Sequence, residues 1–171
     1  MPIPIEFVVR GRPSSVNGSA AKAMTWKMAV SKEANISLAA KFAPSLPPAA
    51  YADDATVKVF FFPPNDQYTD VDNGLKHTID AISEHRRPVP PSPPFASILA
   101  NDKTIQRVVA ERFPPVPNAS LIVPIGFAPT LARALMIANG QTNNAAGTLP
   151  AEEYATAIKV EPYTYNNGGL W

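Results

Sequence analysis

The sequence predicts a small α/β domain of the mixed α+β type, in which helices pack on a mixed β-sheet. Residues 3–9 alternate side chains as a strand does, whereas residues 22–41 and 70–85 have helical character. The length of 171 residues, of which 46% are hydrophobic, is enough for one compact domain with its own core. Together these features indicate one domain that contains both strands and helices.

The first half of the chain supplies two strands and one helix. The first strand places four apolar side chains on one face, namely Ile3, Ile5, Phe7 and Val9. Residues 11–17 have the composition of a turn, and residues 22–41 lack proline and predict a helix. We expect this helix to face the core with Trp26, Ala29, Val30 and Ile36. The segment TVKVFFF (56–62), which two prolines follow, predicts the second strand.

The second half begins with an amphipathic helix over residues 70–85, because Leu75, Ile79 and Ile82 recur at helical spacing. Asp72, Lys76 and Asp80 recur on another side, which predicts a polar face. Residues 104–113 and 120–127 predict strands, with a proline-rich loop before the first of them. Residues 129–139 predict a helix that Gly140 closes, and we expect one short helix at residues 151–159 before a polar tail.

The composition limits which metal ligands and which binding partners the chain can have. With no cysteine and two histidines, a metal ion would have to sit among oxygen ligands, which favours Mg²⁺ or Mn²⁺. The net charge of +1 is far from that of most dedicated DNA binders, although clustered carboxylates at a metal site lower such a total. No stretch has the length of a membrane span and the first residues do not form an export signal, so we expect a cytoplasmic protein without a membrane partner.

The segment TDVDNGLKHTIDAI crowds Asp70, Asp72 and Asn73 at a predicted helix start, with Lys76 one turn later. Two interpretations are open. Aspartate is a preferred N-cap residue, so the acids could simply cap the helix. Alternatively, a divalent cation stabilises crowded carboxylates, and the ion with Lys76 would offer positive charge to a scissile phosphate.

Asn101 and Asp102 precede the strand predicted from residue 104 and form a second acidic element. An Asn-Asp pair is common in turns, which is again the simpler interpretation. A carboxylate at a strand edge could also converge on the first pair. Three acids, one or two metal ions and a lysine are sufficient for phosphodiester hydrolysis.

These residues resemble the RusA family of crossover junction endodeoxyribonucleases, which occur in phages and prophages. DVDNGLKHTIDAI is similar to the D-x-D-N-x-x-K helix motif of that family, and NDKTI is similar to its later acidic pair before a strand. RGRPSSVN, followed by Trp26 and Lys27, resembles its N-terminal strand, turn and helix. The resemblance covers roughly residues 3–127.

The resemblance implies a homodimer that binds branched DNA and cuts four-way (Holliday) junctions. It implies that Mg²⁺, or Mn²⁺ in its place, is held by Asp70, Asp72 and Asp102, and that Lys76 assists catalysis. We expect the DNA-binding residues to be Arg10, Arg12, Asn17, Lys22, Lys27, Asn73, Arg86 and Arg87. Residues 1–127 would form the nuclease domain, and residues 128–171 a C-terminal extension of unknown role.

The chain departs from the family pattern in two places. Residues 65–69, NDQYT, stand where basic residues often precede the first aspartate, and a proline-rich insertion separates Asp72 from Asp102. Two further functions therefore stay open. One is a RusA-like protein that binds or assembles on DNA without turnover. The other is an unrelated structural protein whose prolines and whose Tyr163, Tyr165 and Trp171 mediate protein contacts.

Overall fold

The computed structural model describes residues 2–42, 49–64, 70–83, 97–113, 128–140 and 153–165. These residues form four strands and three α-helices, which confirms the predicted fold class. In chain order they are β1 (Ile5–Arg10), α1 (Ala20–Phe42), β2 (Ala55–Phe62), α2 (Val71–Ile82), β3 (Ile105–Arg112), α3 (Pro129–Ala138) and β4 (Ala155–Pro162). The strand predicted at 120–127 lies outside the described residues.

The four strands form one mixed sheet in the order β1-β4-β2-β3. Strand β4 runs antiparallel to both of its neighbours, whereas β2 and β3 are parallel. Strands β1, β2 and β3 therefore point the same way. Because parallel neighbours need a crossover connection, α2 has to run back across one face of the sheet before β3 begins.

Helices α1 and α2 cover one face of the sheet and enclose the larger core. The face predicted for β1 is confirmed, since Ile5, Phe7 and Val9 are buried in this core. Val8 points to the opposite face, where it packs in a second core beneath α3. The sheet is thus covered on both sides.

The predicted core face of α1 is right for Trp26 and Val30 but wrong for Ile36, which is 50% exposed. Instead, Ala34 and Leu38 continue the buried stripe at intervals of four residues. Ile36 stands two residues from each of them and so points away from the sheet, because two helical residues turn through about 200°.

Strand β4 overturns the prediction of a short helix at residues 151–159. It lies between β1 and β2 and pairs with β2 along its whole length and with β1 over residues 155–160. Ile158 and Val160 are completely buried there. Alanine and glutamate in this segment favour a helix by intrinsic propensity, but burial between two strands outweighs that preference. Residues 155–162 are therefore an inner part of the sheet and not an appendage to it.

Helix α3 covers the second face. It begins at Pro129 and is followed by Gly140 at a φ of +65°, in agreement with the sequence prediction. Its buried residues are Leu131, Ala134, Ile137 and Ala138. They pack against Phe60 and Phe62 of β2 and against the alanines of β4.

A buried ion pair crosses the same face between the two inner strands. The Nζ atom of Lys58 lies 2.8 Å from Oε1 of Glu161, and Nζ of Lys159 lies 3.4 Å from Oε2 of the same carboxylate. Burial acts to raise the pKa of Glu161, but the hydrogen bonds and charges of the two lysines outweigh it and hold this pKa below its usual value. The carboxylate therefore stays ionised between the strands.

Two matched substitutions test the position of β4 and of Ile36. Replacing Ile158 with alanine should lower the free energy of unfolding by about 2–5 kcal/mol, because it leaves a cavity in the larger core between the sheet and the helices. Replacing the exposed Ile36 with alanine should change it by less than about 0.5 kcal/mol. Chemical denaturation of both variants measures this difference, and equal losses would contradict the assignment of residues 155–162 to the centre of the sheet.

Candidate functional site

The site is organised by the start of α2, which lies close to the end of β2. At Gly74 an added Cβ atom would be 3.0 Å from Cε1 of Phe61 and 3.1 Å from Cβ of Pro13. A Cβ atom here would be closer than most real Cβ contacts, so glycine lets the helix come this near to the strand without displacing Phe61 or Pro13. Leu75 and Ile79 complete the packing of this helix on the larger core. The residues around Asp70 are thereby fixed at the carboxyl end of β2.

Asp70 occupies the N-cap position of α2, but its carboxylate accepts no capping hydrogen bond from the helix backbone. Oδ2 of Asp70 instead accepts a hydrogen bond of 3.3 Å from Nδ2 of Asn73, and Oδ1 of Asp72 accepts one of 2.8 Å from the backbone N–H of Asn73. The first acid is thus at a capping position without performing the side-chain role of a cap. Asp70 is exposed at the protein surface.

The turn after β1 packs against the start of α2. Gly11 adopts a φ of +100°, and its N–H donates a 2.7 Å hydrogen bond to the carbonyl of Tyr154 on the way into β4. This left-handed conformation, which glycine tolerates best, sends the chain across the start of α2. Pro13 is buried there. Asn17 lies in the exposed turn that follows, and its backbone N–H donates a hydrogen bond to Oγ of Ser15.

Between this turn, α1 and the start of α2 lies a cavity of about 690 Å³. Its lining includes four of the residues predicted to contact DNA, namely Arg10, Arg12, Lys22 and Asn73, together with Asp70. Arg10 also forms an ion pair of 3.2 Å with Glu153. The apolar part of the lining comes from Pro13, Trp26 and Ala29. The sequence indicated the polar residues, but nothing in the pattern RGRPSSVN indicated that they border a cavity.

Lys27 has a different environment from the one predicted. Its Nζ atom lies 2.8 Å from Oδ2 of Asp80 in the interface between α1 and α2. Asp80 is buried there, although the sequence placed it on a polar face. Beside this pair the indole N–H of Trp26 donates a 3.1 Å hydrogen bond to Oγ1 of Thr78. Lys27 therefore serves to join the two helices.

Lys76 is exposed over 54% of its side chain, and its Nζ atom lies 3.9 Å from Oδ1 of Asp80. The sequence predicted that Lys76 would lie near Asp72 on one face. The ion pair that it makes with the described residues is with Asp80, one turn further along the helix. Lys76 is thus an exposed residue of the second turn of α2, and its contact with Asp80 leads away from the acidic helix start.

Asp102 lies at the other end of α2. The carbonyl of Ile82, the last residue of the helix, accepts hydrogen bonds from the N–H groups of Ile98 and Leu99, and the Ala100 N–H donates to the carbonyl of Tyr51 before β2. Asp102 follows in a short 3₁₀ turn whose capping side chain is Asn101, with β3 directly after it. The ten residues from Asp72 to Ile82 span about 15 Å of helix. The crossover thus separates this acid from the other two.

Asp70 and Asp72 thus both lie at the start of α2, whereas Asp102 follows the end of that helix. Among the described residues, which include all three acids, there is no group of three or more histidine, aspartate or glutamate side chains that could hold a metal ion. One chain offers two carboxylates and the Asn73 amide at the start of α2, and Mg²⁺ is usually bound by one or two carboxylates together with waters and substrate phosphates. Arg86 and Arg87, two of the predicted DNA contacts, lie outside the described residues.

No protein-family model matches the chain, and no curated protein matches it. The similarity to the RusA family therefore rests on the sequence motifs alone. Over the described residues, no helix is both long enough and apolar enough to cross a bilayer.

The ion pair between Lys27 and Asp80 should contribute measurably to stability. Replacing Asp80 with alanine should lower the free energy of unfolding by about 1.5–3 kcal/mol, because the partly buried ammonium group of Lys27 loses its charged hydrogen-bond partner. Replacing the exposed Lys76 with methionine removes the longer contact to the same carboxylate and should cost less than about 0.5 kcal/mol. Thermal and denaturant unfolding of the two variants makes the comparison, and a larger loss for Lys76→Met would contradict it.

Proposed function

We propose that the protein is a magnesium-dependent, structure-selective endonuclease that hydrolyses phosphodiester bonds in four-way (Holliday) or other branched DNA. The observation that carries this proposal is the position of two carboxylates beside a cationic cavity. Asp70, which does not cap its helix, lines the cavity with Arg12 and Lys22, and Asp72 is adjacent. The motif that contains these acids is the one that resembles the RusA family.

Each group of residues has a separate task in this proposal. The cationic rim of the cavity attracts the DNA backbone and orients a phosphate at the start of α2, where the helix dipole also favours negative charge. Asp70 and Asp72 are the residues that would hold Mg²⁺ or Mn²⁺, and the bound ion would supply charge neutralisation and an activated water. The exposed ammonium of Lys76 would add positive charge near the phosphate.

Within one chain Asp102 follows the far end of α2, away from the acids at the helix start. In this proposal the third carboxylate is supplied by a second copy of the chain in the homodimer. A two-fold axis would place the 3₁₀ turn of each protomer at the acidic helix start of its partner, and both sites would then be completed at once. Two such sites in one dimer suit a substrate with two opposed strands to cut.

Cleavage of a synthetic four-way junction in the presence of Mg²⁺ tests the activity. We expect wild-type protein to cut it and Asp72→Asn to be slower by about 100-fold or more, since even outer-shell partners of a metal cost 10–100-fold when lost. The matched carboxylate-to-amide control is Glu33→Gln on α1, which should cut at the wild-type rate. Equal rates for wild type and Asp72→Asn would remove the catalytic assignment.

A mixed dimer tests whether the site is shared between chains. Asp72→Asn and Asp102→Asn homodimers should both be inactive. A heterodimer of one Asp72→Asn chain and one Asp102→Asn chain should regain one intact site, formed by Asp72 of the second chain and Asp102 of the first. It should nick one strand of the junction and leave the other uncut.

The heterodimer is prepared by co-expression with two different affinity tags and isolated by sequential purification. If all the acids acted within one chain, each half of this heterodimer would carry a defect and no activity would return. A heterodimer as inactive as its two parents therefore contradicts the shared site.

A second candidate is a RusA-like protein that binds or assembles on branched DNA without cutting it. It is favoured by the absence of a three-carboxylate cluster among the described residues and by the net charge of +1. Tight binding of the four-way junction, with no product in Mg²⁺ or in Mn²⁺, would support this function in place of the endonuclease.

A further inference from the structure

The cavity beside Asp70 is larger than the phosphate contact of the proposed function requires. Its volume of about 690 Å³ lies within the range of 300–1,000 Å³ that is usual for sites that enclose an organic ligand. A phosphate group held by the rim would leave most of this space unused. The volume indicates an organic ligand that is larger than a phosphate ion and carries a charged group.

The lining combines cationic and apolar groups. Three cationic side chains, from Arg10, Arg12 and Lys22, stand on the strand, turn and helix that border the cavity. The same lining includes the buried Pro13 and the buried indole of Trp26, beside the hydroxyl groups of Ser14, Ser15 and Thr25. A ligand that satisfies both parts has an apolar body and an anionic group.

The wall formed by α2 adds hydrogen-bonding groups. Asp70 and Asn73 line the cavity there and supply a carboxylate acceptor and an amide. A nucleotide has the three features that this lining matches, namely a flat base with apolar faces, a hydrogen-bonding edge and a phosphate.

We propose that this cavity binds one unpaired nucleotide of the DNA substrate, with the base inside and its phosphate at the cationic rim. The inference rests on the proposed function and adds a subsite to it. A paired base cannot enter, because its hydrogen-bonding edge and its faces are occupied in the duplex, and the cost of unstacking is lowest for a base that is already unpaired. Flaps, forks and gapped branches supply such bases, whereas a fully paired four-way junction supplies one only when a pair opens at its crossover.

The position of the subsite follows from Asp70, which belongs both to the cavity wall and to the acidic start of α2. A base held in the cavity would place the adjoining phosphodiester next to Asp70 and Asp72. The cavity would then select the cleavage position by requiring an unpaired nucleotide beside the bond to be cut.

Direct binding to the full-length protein without metal tests this subsite. The probes are thymidine monophosphate, thymidine and inorganic phosphate, followed by calorimetry and by the indole N–H resonance of Trp26 in heteronuclear NMR. We expect the nucleotide to bind at least about tenfold more tightly than thymidine or phosphate and to shift the Trp26 resonance.

Three variants separate the base contribution from the phosphate contribution. Thr25 is exposed and borders the cavity, so Thr25→Phe should obstruct it and reduce nucleotide affinity to that of phosphate alone. Met24→Phe places the same ring one residue earlier, outside the cavity, and should bind the nucleotide as wild type does. Lys22→Gln should weaken the binding of nucleotide and phosphate alike.

A nucleotide that binds no more tightly than phosphate would overturn the proposal and leave an anion site. Full nucleotide affinity in Thr25→Phe, or an unshifted Trp26 resonance at saturation, would also overturn it. These outcomes are independent of catalysis, because no metal or DNA cleavage is involved. Junction cleavage that persists without nucleotide binding would refute the subsite alone, whereas nucleotide binding without any cleavage would refute the endonuclease alone.

Discussion

The close contact between Gly74 and Phe61 fixes the arrangement on which the rest of the structure depends. It places the start of α2 at the carboxyl end of β2. Because β2 and β3 are parallel, the helix has to end near the amino ends of these strands, where β3 begins. The two acids at the start of the helix and the acid that follows it are therefore held apart by the crossover itself. No side-chain rotation within the chain can compensate for about 15 Å of helix.

The separation of Asp102 from the start of α2 determines which residues lie at the candidate site. The described chain holds an acidic helix start, a cationic cavity and an accessible lysine together, while Asp102 is presented elsewhere on the surface. The homodimer proposed above would bring these two surfaces together, since every contact in a symmetric interface occurs twice. The low net charge is compatible with local binding of DNA, because charge distribution and not the total sets the potential near a cavity.

Much of the fold could be predicted from local patterns, since the alternation in β1 and the proline-free run of α1 reflect burial directly. The prediction failed where tertiary context overrides local preference. Residues 151–159 have helical composition yet contribute to the inner strand β4, because their two neighbouring strands offer burial on both sides. Ile36 was predicted to face the core because it is apolar, although it does not lie on the buried stripe of α1.

The site was predictable by residue type but not by geometry. The motif around Asp70 and the basic residues near β1 do lie together, whereas spacing along the chain could not reveal that a crossover separates Asp102 from Asp72. The cavity had no sequence signal, because it arises from the turn at Gly11 and the close approach of α2, both of which are tertiary features.

Because the chain has no cysteine, spin labels can be attached at positions 72 and 102 alone. The most direct test is electron paramagnetic resonance on this doubly labelled chain, diluted into an excess of unlabelled protein so that only the distance within one chain is measured. The crossover predicts a separation of about 15 Å or more. A separation below about 10 Å, as joint coordination of one ion by a single chain would impose, would contradict the account.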